Sequence, residues 1–170
     1  MSIPVEGLEH HTWANDLLLG TCEQLTDDQL ARPVAGTYGS VLDTCRHLVG
    51  SDTWYLWVIS RGEEGSDHGD EDERSIAGLR EMAEGNAAAF GRLLAGGLDD
   101  GADIAVPQPD GSRSHVNVGI RLAQVVHHGT DHRSQICTAL TELGIDPLPE
   151  IDVWAWAEAT GGFRLDPPDA

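Results

Sequence analysis

Apolar residues recur at helical spacing through four stretches of the chain, separated by links rich in polar residues, Gly and Pro. The first predicted helix covers roughly 5–25, where Val5, Leu8, Trp13, Leu17, Leu18 and Leu25 keep a loose helical period. Pro33 and Gly36 break the pattern within "LTDDQLARPVAG". A second helix is expected from about Ser40, placed as its N-cap, to Ser60, and a third over about 75–96, stopping at Gly96-Gly97. The fourth covers about 117–143, ends at Gly144 and is followed by Pro147. A short terminal helix fits "EIDVWAWAEA". Between these lie an acidic loop at about 61–74, read as solvated, and an irregular connection at about 97–116 with a short hairpin turning at Asp110-Gly111. No segment reads as a convincing strand and there are no repeats. The expectation is an all-α, antiparallel four-helix bundle with a short C-terminal helix or tail, forming a single domain over 1–170.

Composition narrows the function classes. The chain has 29 acidic and 10 basic residues, a net charge of −19, and no Lys, so every basic side chain is Arg. A field of that sign repels phosphate backbones and anionic lipid, which argues against nucleic acid or membrane as a partner. No apolar run approaches the ~20 residues that span a bilayer. The opening "MSIPVEGLEHH" lacks the basic and apolar regions of a signal peptide, which gives the expectation of a cytoplasmic protein. Cys22, Cys45 and Cys137 are far apart and form no CxxC, so they read as small interior hydrophobes and not as thiolate ligands.

The chemistry concentrates in "VVHHGTDHRSQI", residues 125–136. Two i, i+4 pairs compete there, His128 with His132 and His127 with Asp131. Advancing about 100° per residue from Leu122, the apolar stripe gathers Val118, Val125, Val126, Ile136, Leu140 and Leu143. His132 falls about 80° and His128 about 120° to one side of it, whereas His127 and Asp131 lie near the back, at about 140° and 180°. The inward pair is therefore His128/His132. Stacked imidazoles can share a metal ion, but a stable site wants a third ligand. On the second helix His47 sits about 100° from Leu48, again beside the core stripe, so packing of helices two and four would aim three histidines at one point.

These segments resemble the DinB-like (DinB/YfiT) superfamily of bacterial metal-binding four-helix bundles. "HHTWANDLLL" is similar to its first helix, "GSVLDTCRHLVGSDTWYL" to its second and "QVVHHGTDHRSQI" to its HxxxHR-(G/S)-Q signature. "PLPEIDVWAWAE" is similar to the tail of many members. Carried over by position, the resemblance implies metal ligands at His47, His128 and His132. Members often carry another His where this chain has Gln124, and a Gly where it has Ser134; neither change removes a ligand.

What the resemblance implies is a divalent-metal site of three histidines with one coordination position open, the pattern of a catalytic site. Zinc or nickel suits imidazole ligands best, with manganese or iron as alternatives. Some relatives activate a low-molecular-weight thiol, mycothiol or bacillithiol, for S-transfer or isomerisation, and others are proposed hydrolases. The function expected is thus a metal-dependent transferase, isomerase or hydrolase acting on an unidentified small molecule. The alternative is a non-catalytic, stress-responsive metal-binding protein. Members commonly pair as homodimers, so a second copy is the partner the resemblance allows.

Several other residues carry expectations. Arg133 falls about 20° from the centre of the apolar stripe, so it needs a buried carboxylate or carbonyl partner, with Asp43 and Asp52 as candidates. Trp54 and Val58 read as core that could also wall the pocket. His10 and His11 are expected at the surface or behind the site, and His68 and His115 in solvent. Asp131 and Gln135 are either exposed or placed to orient a ligand imidazole.

Overall fold

The structure, a computed structural model, describes residues 5–67 and 69–166. His68, expected in solvent, lies outside them. The elements are α1 (Val5–Cys22), α2 (Asp27–Ala31), α3 (Val41–Ile59), a 3₁₀ turn (Asp70–Glu73), α4 (Ile76–Ala95), β1 (Asp103–Pro107), β2 (Arg113–Asn117), α5 (Val118–Glu142) and α6 (Val153–Ala159). The four long helices are the predicted ones. Each of α3, α4 and α5 begins at a residue whose side chain accepts a backbone N–H of its first turn: Ser40, Ser75 and Asn117. At Ser40 the arrangement is reciprocal, because Asp43 reaches back to the Ser40 backbone.

The bundle is a ring in which α1 packs on α4 and α5, and α3 packs on the same two. Its core divides into two apolar clusters. Leu18, Leu19, Cys22, Val41, Cys45, Leu48, Leu79, Ile136 and Leu140 fill one end, with Leu8, Leu56, Phe90, Leu122 and Val125 at the other. Helices α1 and α5 therefore run one way and α3 and α4 the other. Between the clusters every helix contributes buried polar groups: His11 and Asn15, Asp52 and Thr53, Asn86, then His132 and Arg133.

Three local readings of the sequence are corrected. The link after α1 contains α2, held by a capping box between Thr26 and Gln29; at five residues it is too short to show a period. The connection before α5 does contain strands, paired antiparallel from Asp103↔Asn117 to Pro107↔Arg113, with Gly111 at φ 85° in the turn expected at Asp110-Gly111. Of the strand residues only Ile104 is buried, so the alternation that marks a strand is missing. The acidic stretch is more than a solvated loop. Because α3 and α4 run the same way, it must return along α3, and it does so in close contact. Glu71 packs on Gly50, where a Cβ would collide with its carboxyl group, and the Arg74 carbonyl accepts two hydrogen bonds from Arg46.

The described residues contain no helix long and apolar enough to cross a membrane. Cys22 and Cys45 are buried and Cys137 half-buried, all as free thiols, as expected of interior hydrophobes.

Because Ser40 starts the helix that carries His47 two turns later, Ser40→Ala removes the hydroxyl half of the capping box, the acceptor for the Asp43 N–H, and leaves the Asp43 bond to the backbone N–H in place. The expected loss is about 1 kcal/mol of stability, measured as a lowered urea midpoint at unchanged slope.

Candidate metal centre

The histidine geometry follows from the packing of α3 against α5. His47 Nε2 lies 3.1 Å from His128 Nε2, and the ring centroids of His128 and His132 are 4.4 Å apart. One ligand-type nitrogen from each of His47, His128 and His132 lies within 4.8 Å of the others, and no other such cluster occurs among the described residues. His127 and Asp131 are exposed, so the two spacings in the signature are unequal in the way the helical phase predicts.

The donor set fits a metal ion. Two metal–nitrogen bonds of about 2.0–2.1 Å at tetrahedral to right angles put their nitrogens about 2.9–3.4 Å apart, which brackets the His47–His128 separation. The imidazoles are also in the ligating state. Burial lowers the pKa of all three, and repulsion from neighbouring imidazoles adds to it at His47 and His128; His128 is pushed down to about 4. Neutral rings keep a lone pair for an ion. The buried Nδ1 atoms of His128 and His132 have no hydrogen-bond partner among the protein groups.

Tyr38, in the link before α3, stacks on His47 at 4.0 Å between centroids and meets His132 edge-on at 5.6 Å. Its backbone N–H donates to Gln135 Oε1 at 2.8 Å. Of the two residues expected either to be exposed or to orient a ligand, Asp131 is exposed, whereas Gln135 is half-buried and tied to Tyr38. His47 also lines a polar cavity of about 480 Å³ with Tyr38, Asp43, Arg46, Glu71 and Asp72. The cluster therefore opens onto a space walled by the returning acidic segment. A larger cavity of about 720 Å³ lies between α1, α5 and α6, with His10, Arg133, Cys137 and Trp156 in its wall. None of the three clustered histidines reaches it, so its size does not make it the site of metal chemistry.

Behind the cluster the structure decides between alternatives that the sequence left open. Of the two places expected for His11, surface or behind the site, it takes the second and is fully buried: its Nε2 lies 2.8 Å from Asp52 Oδ2 and its Nδ1 3.0 Å from Arg133 Nη1. Arg133 finds its direct partners in the Asn15 carbonyl oxygen at 2.8 Å, His11 and the Thr130 hydroxyl, with the Asp52 carboxylate one residue further on. Asp43 is occupied in the α3 cap. The sequence leaves His11 undecided between these places because a single His on a helix of weak period gives no sign that its ring is inside. Gly129 was the available signal. A Cβ there would overlap the His11 ring and come within 2.9 Å of Arg133 Nη1, so the glycine admits His11 against α5. His10, half-buried, bonds the Ile151 carbonyl, and His115 is exposed beside Asp103. Trp54 and Val58 belong to the core, against Leu56 and Phe90.

Among known families, the model described as the DinB family matches residues 1–162. The chain belongs to the DinB family. No curated protein matches it. The family is a helical bundle, and the histidines that converge in this member are compatible with a bound metal ion.

Two measurements check this geometry. Gly129→Ala sets a gain in helix propensity of up to ~1 kcal/mol against overlap with a ring that cannot move, and a net loss of about 1–3 kcal/mol is expected in denaturant melts. For pH, the folded His128 at about 4 lies below its ordinary 6.5, so between these values the unfolded chain binds a proton that the folded one does not. The metal-free protein should therefore keep this contribution above pH 6.5 and lose it as pH falls toward 4. Thermal melts across that range check it, and His128→Gln should flatten the dependence.

Proposed function

We propose that His47, His128 and His132 hold one divalent ion, zinc or nickel first and manganese or iron as alternatives, within a single domain spanning 1–170. The protein then works as a metal-dependent enzyme at the remaining coordination position. The reaction classes are S-transfer or isomerisation with a low-molecular-weight thiol such as mycothiol or bacillithiol, or hydrolysis. The observation that carries this reading is the convergence of three neutral imidazoles beside a polar cavity of about 480 Å³. When bound, such an ion lowers the pKa of a coordinated water to ~7 or holds a thiol as thiolate. The chain supplies the rest. The Tyr38 ring covers His47 and shields the cluster from bulk water on that side. Asp43, Arg46, Glu71 and Asp72 give the cavity the polar lining that a small hydrophilic substrate needs.

Elemental analysis of protein purified without a His-tag or chelating column is the decisive test. About one equivalent of a divalent metal is expected, lost in His128→Ala and kept in His127→Ala, with the fold of both intact by circular dichroism. Metal-free wild-type protein that also refuses added zinc and nickel would overturn the reading. A screen of thiols with electrophiles, and of esters, then separates enzyme from metal-binding protein: full occupancy without turnover would favour the non-catalytic, stress-responsive alternative.

A further inference from the structure

Proton placement in the buried layer behind the histidines can be followed atom by atom. Arg133 only donates, so the His11 Nδ1 and Asn15 Oδ1 that face its Nη1 are acceptors. The His11 ring therefore carries its hydrogen on Nε2 and gives it to Asp52 Oδ2. With its oxygen turned to Arg133, Asn15 has its Nδ2 free to donate to the same Oδ2, at 3.1 Å. The 3.2 Å approach of Asn15 Nδ2 to His11 Nε2 is then a contact of two donors and not a bond. Two donors thus meet on Oδ2, while Asp52 Oδ1, equally buried, receives none. A buried carboxylate oxygen without a partner needs a reason.

His128 supplies the complementary defect. Its Nε2 faces His47, so when that nitrogen is a ligand the ring hydrogen must sit on Nδ1, which is buried and has no acceptor. The two orphans share one layer of the bundle. Asp52 holds His11, His11 touches Gly129, and Gly129 follows His128 in the chain.

We propose that Asp52 is the positioning carboxylate of the metal centre, its Oδ1 accepting the His128 Nδ1–H through one buried water. The inference rests on the metal reading above. It gives the Arg133–His11–Asn15–Asp52 layer a task beyond packing: Arg133 and Asn15 fix the His11 and Asp52 orientations, and Asp52 fixes the tautomer and angle of a ligand. A carboxylate in that place also raises the basicity of the ligating nitrogen.

The test uses the full chain loaded with zinc. In wild-type protein, long-range ¹H–¹⁵N spectra should show His128 protonated on Nδ1, with a downfield hydrogen resonance protected from solvent exchange. Asp52→Asn should weaken zinc affinity roughly 10–100-fold in competition with a chromophoric chelator, and should abolish that resonance. The melting temperature of the metal-free variant separates this from a structural role, which would lower melting and leave the affinity of the folded protein unmoved. Equal zinc affinity in folded Asp52→Asn overturns the inference, as does a wild-type His128 whose Nδ1 hydrogen is absent or exchanges freely; the latter needs no variant to fold. Failure of the wild type to take up zinc overturns the metal reading as well.

Discussion

A buried arginine governs the middle of this bundle. Arg133 is 3% exposed, and burial lowers its guanidinium only to about 10, so it remains a cation at neutral pH inside the protein. Removing such a charge from water costs several kcal/mol unless its donors are met. Meeting them fixes much else. Asn15 must present its oxygen, His11 its Nδ1, and Asp52 must stand behind both with the compensating charge. These residues come from α1 and α3, helices that face each other across the ring, so the layer sets the height of the diagonal pair relative to α5. Replacing any one of them leaves another group buried and unpaired, which costs more than the lost bond itself.

The same layer explains why the core is divided. Apolar packing alone tolerates sliding of one helix along another, because many apolar registers have similar energy. A polar layer between the clusters admits one register, since only that one satisfies its directed bonds. Thr53 and Asn86 extend it to α4 with a reciprocal bond at 3.0–3.1 Å and an Asn86 bond to the Val49 carbonyl. Three imidazoles from two helices meet within 4.8 Å only if that register holds.

The parts legible in the sequence were those that repeat. Four long helices follow from the apolar period, and the inward turn of His128 and His132 from the same arithmetic. Ser40 and Asn117 stand where the expected helices begin, and Ser40 was identifiable as a cap. The rest depends on groups that meet only after folding. Nothing in the link "RPVAGTYGS" marks Tyr38 as the ring that stacks on His47, because a loop residue has no period. The acidic segment reads as solvent-facing on charge, yet the direction of α4 sends it back along α3, with Gly50 as the faint sign of close approach. His11 is the residue whose place the sequence leaves undecided. Its burial is decided by Arg133, more than a hundred positions away, and by the missing side chain of Gly129.

Helix α5 shows how tightly these demands are interleaved. His128 and His132 turn one flank toward α3, and one residue later in each case Gly129 and Arg133 turn another toward α1. A step of about 100° per residue makes the two pairs neighbours in sequence and separate in space. Each pair has the four-residue spacing that stacks side chains on one face, so a single helical phase serves both. A one-residue insertion before His128 would turn every one of these groups away from its partner, provided the apolar stripe held its place. The "HHGTDHR" run is therefore two interlocked i, i+4 pairs: one presents nitrogens to a shared point, and the other holds the helix at the angle that makes the point shared.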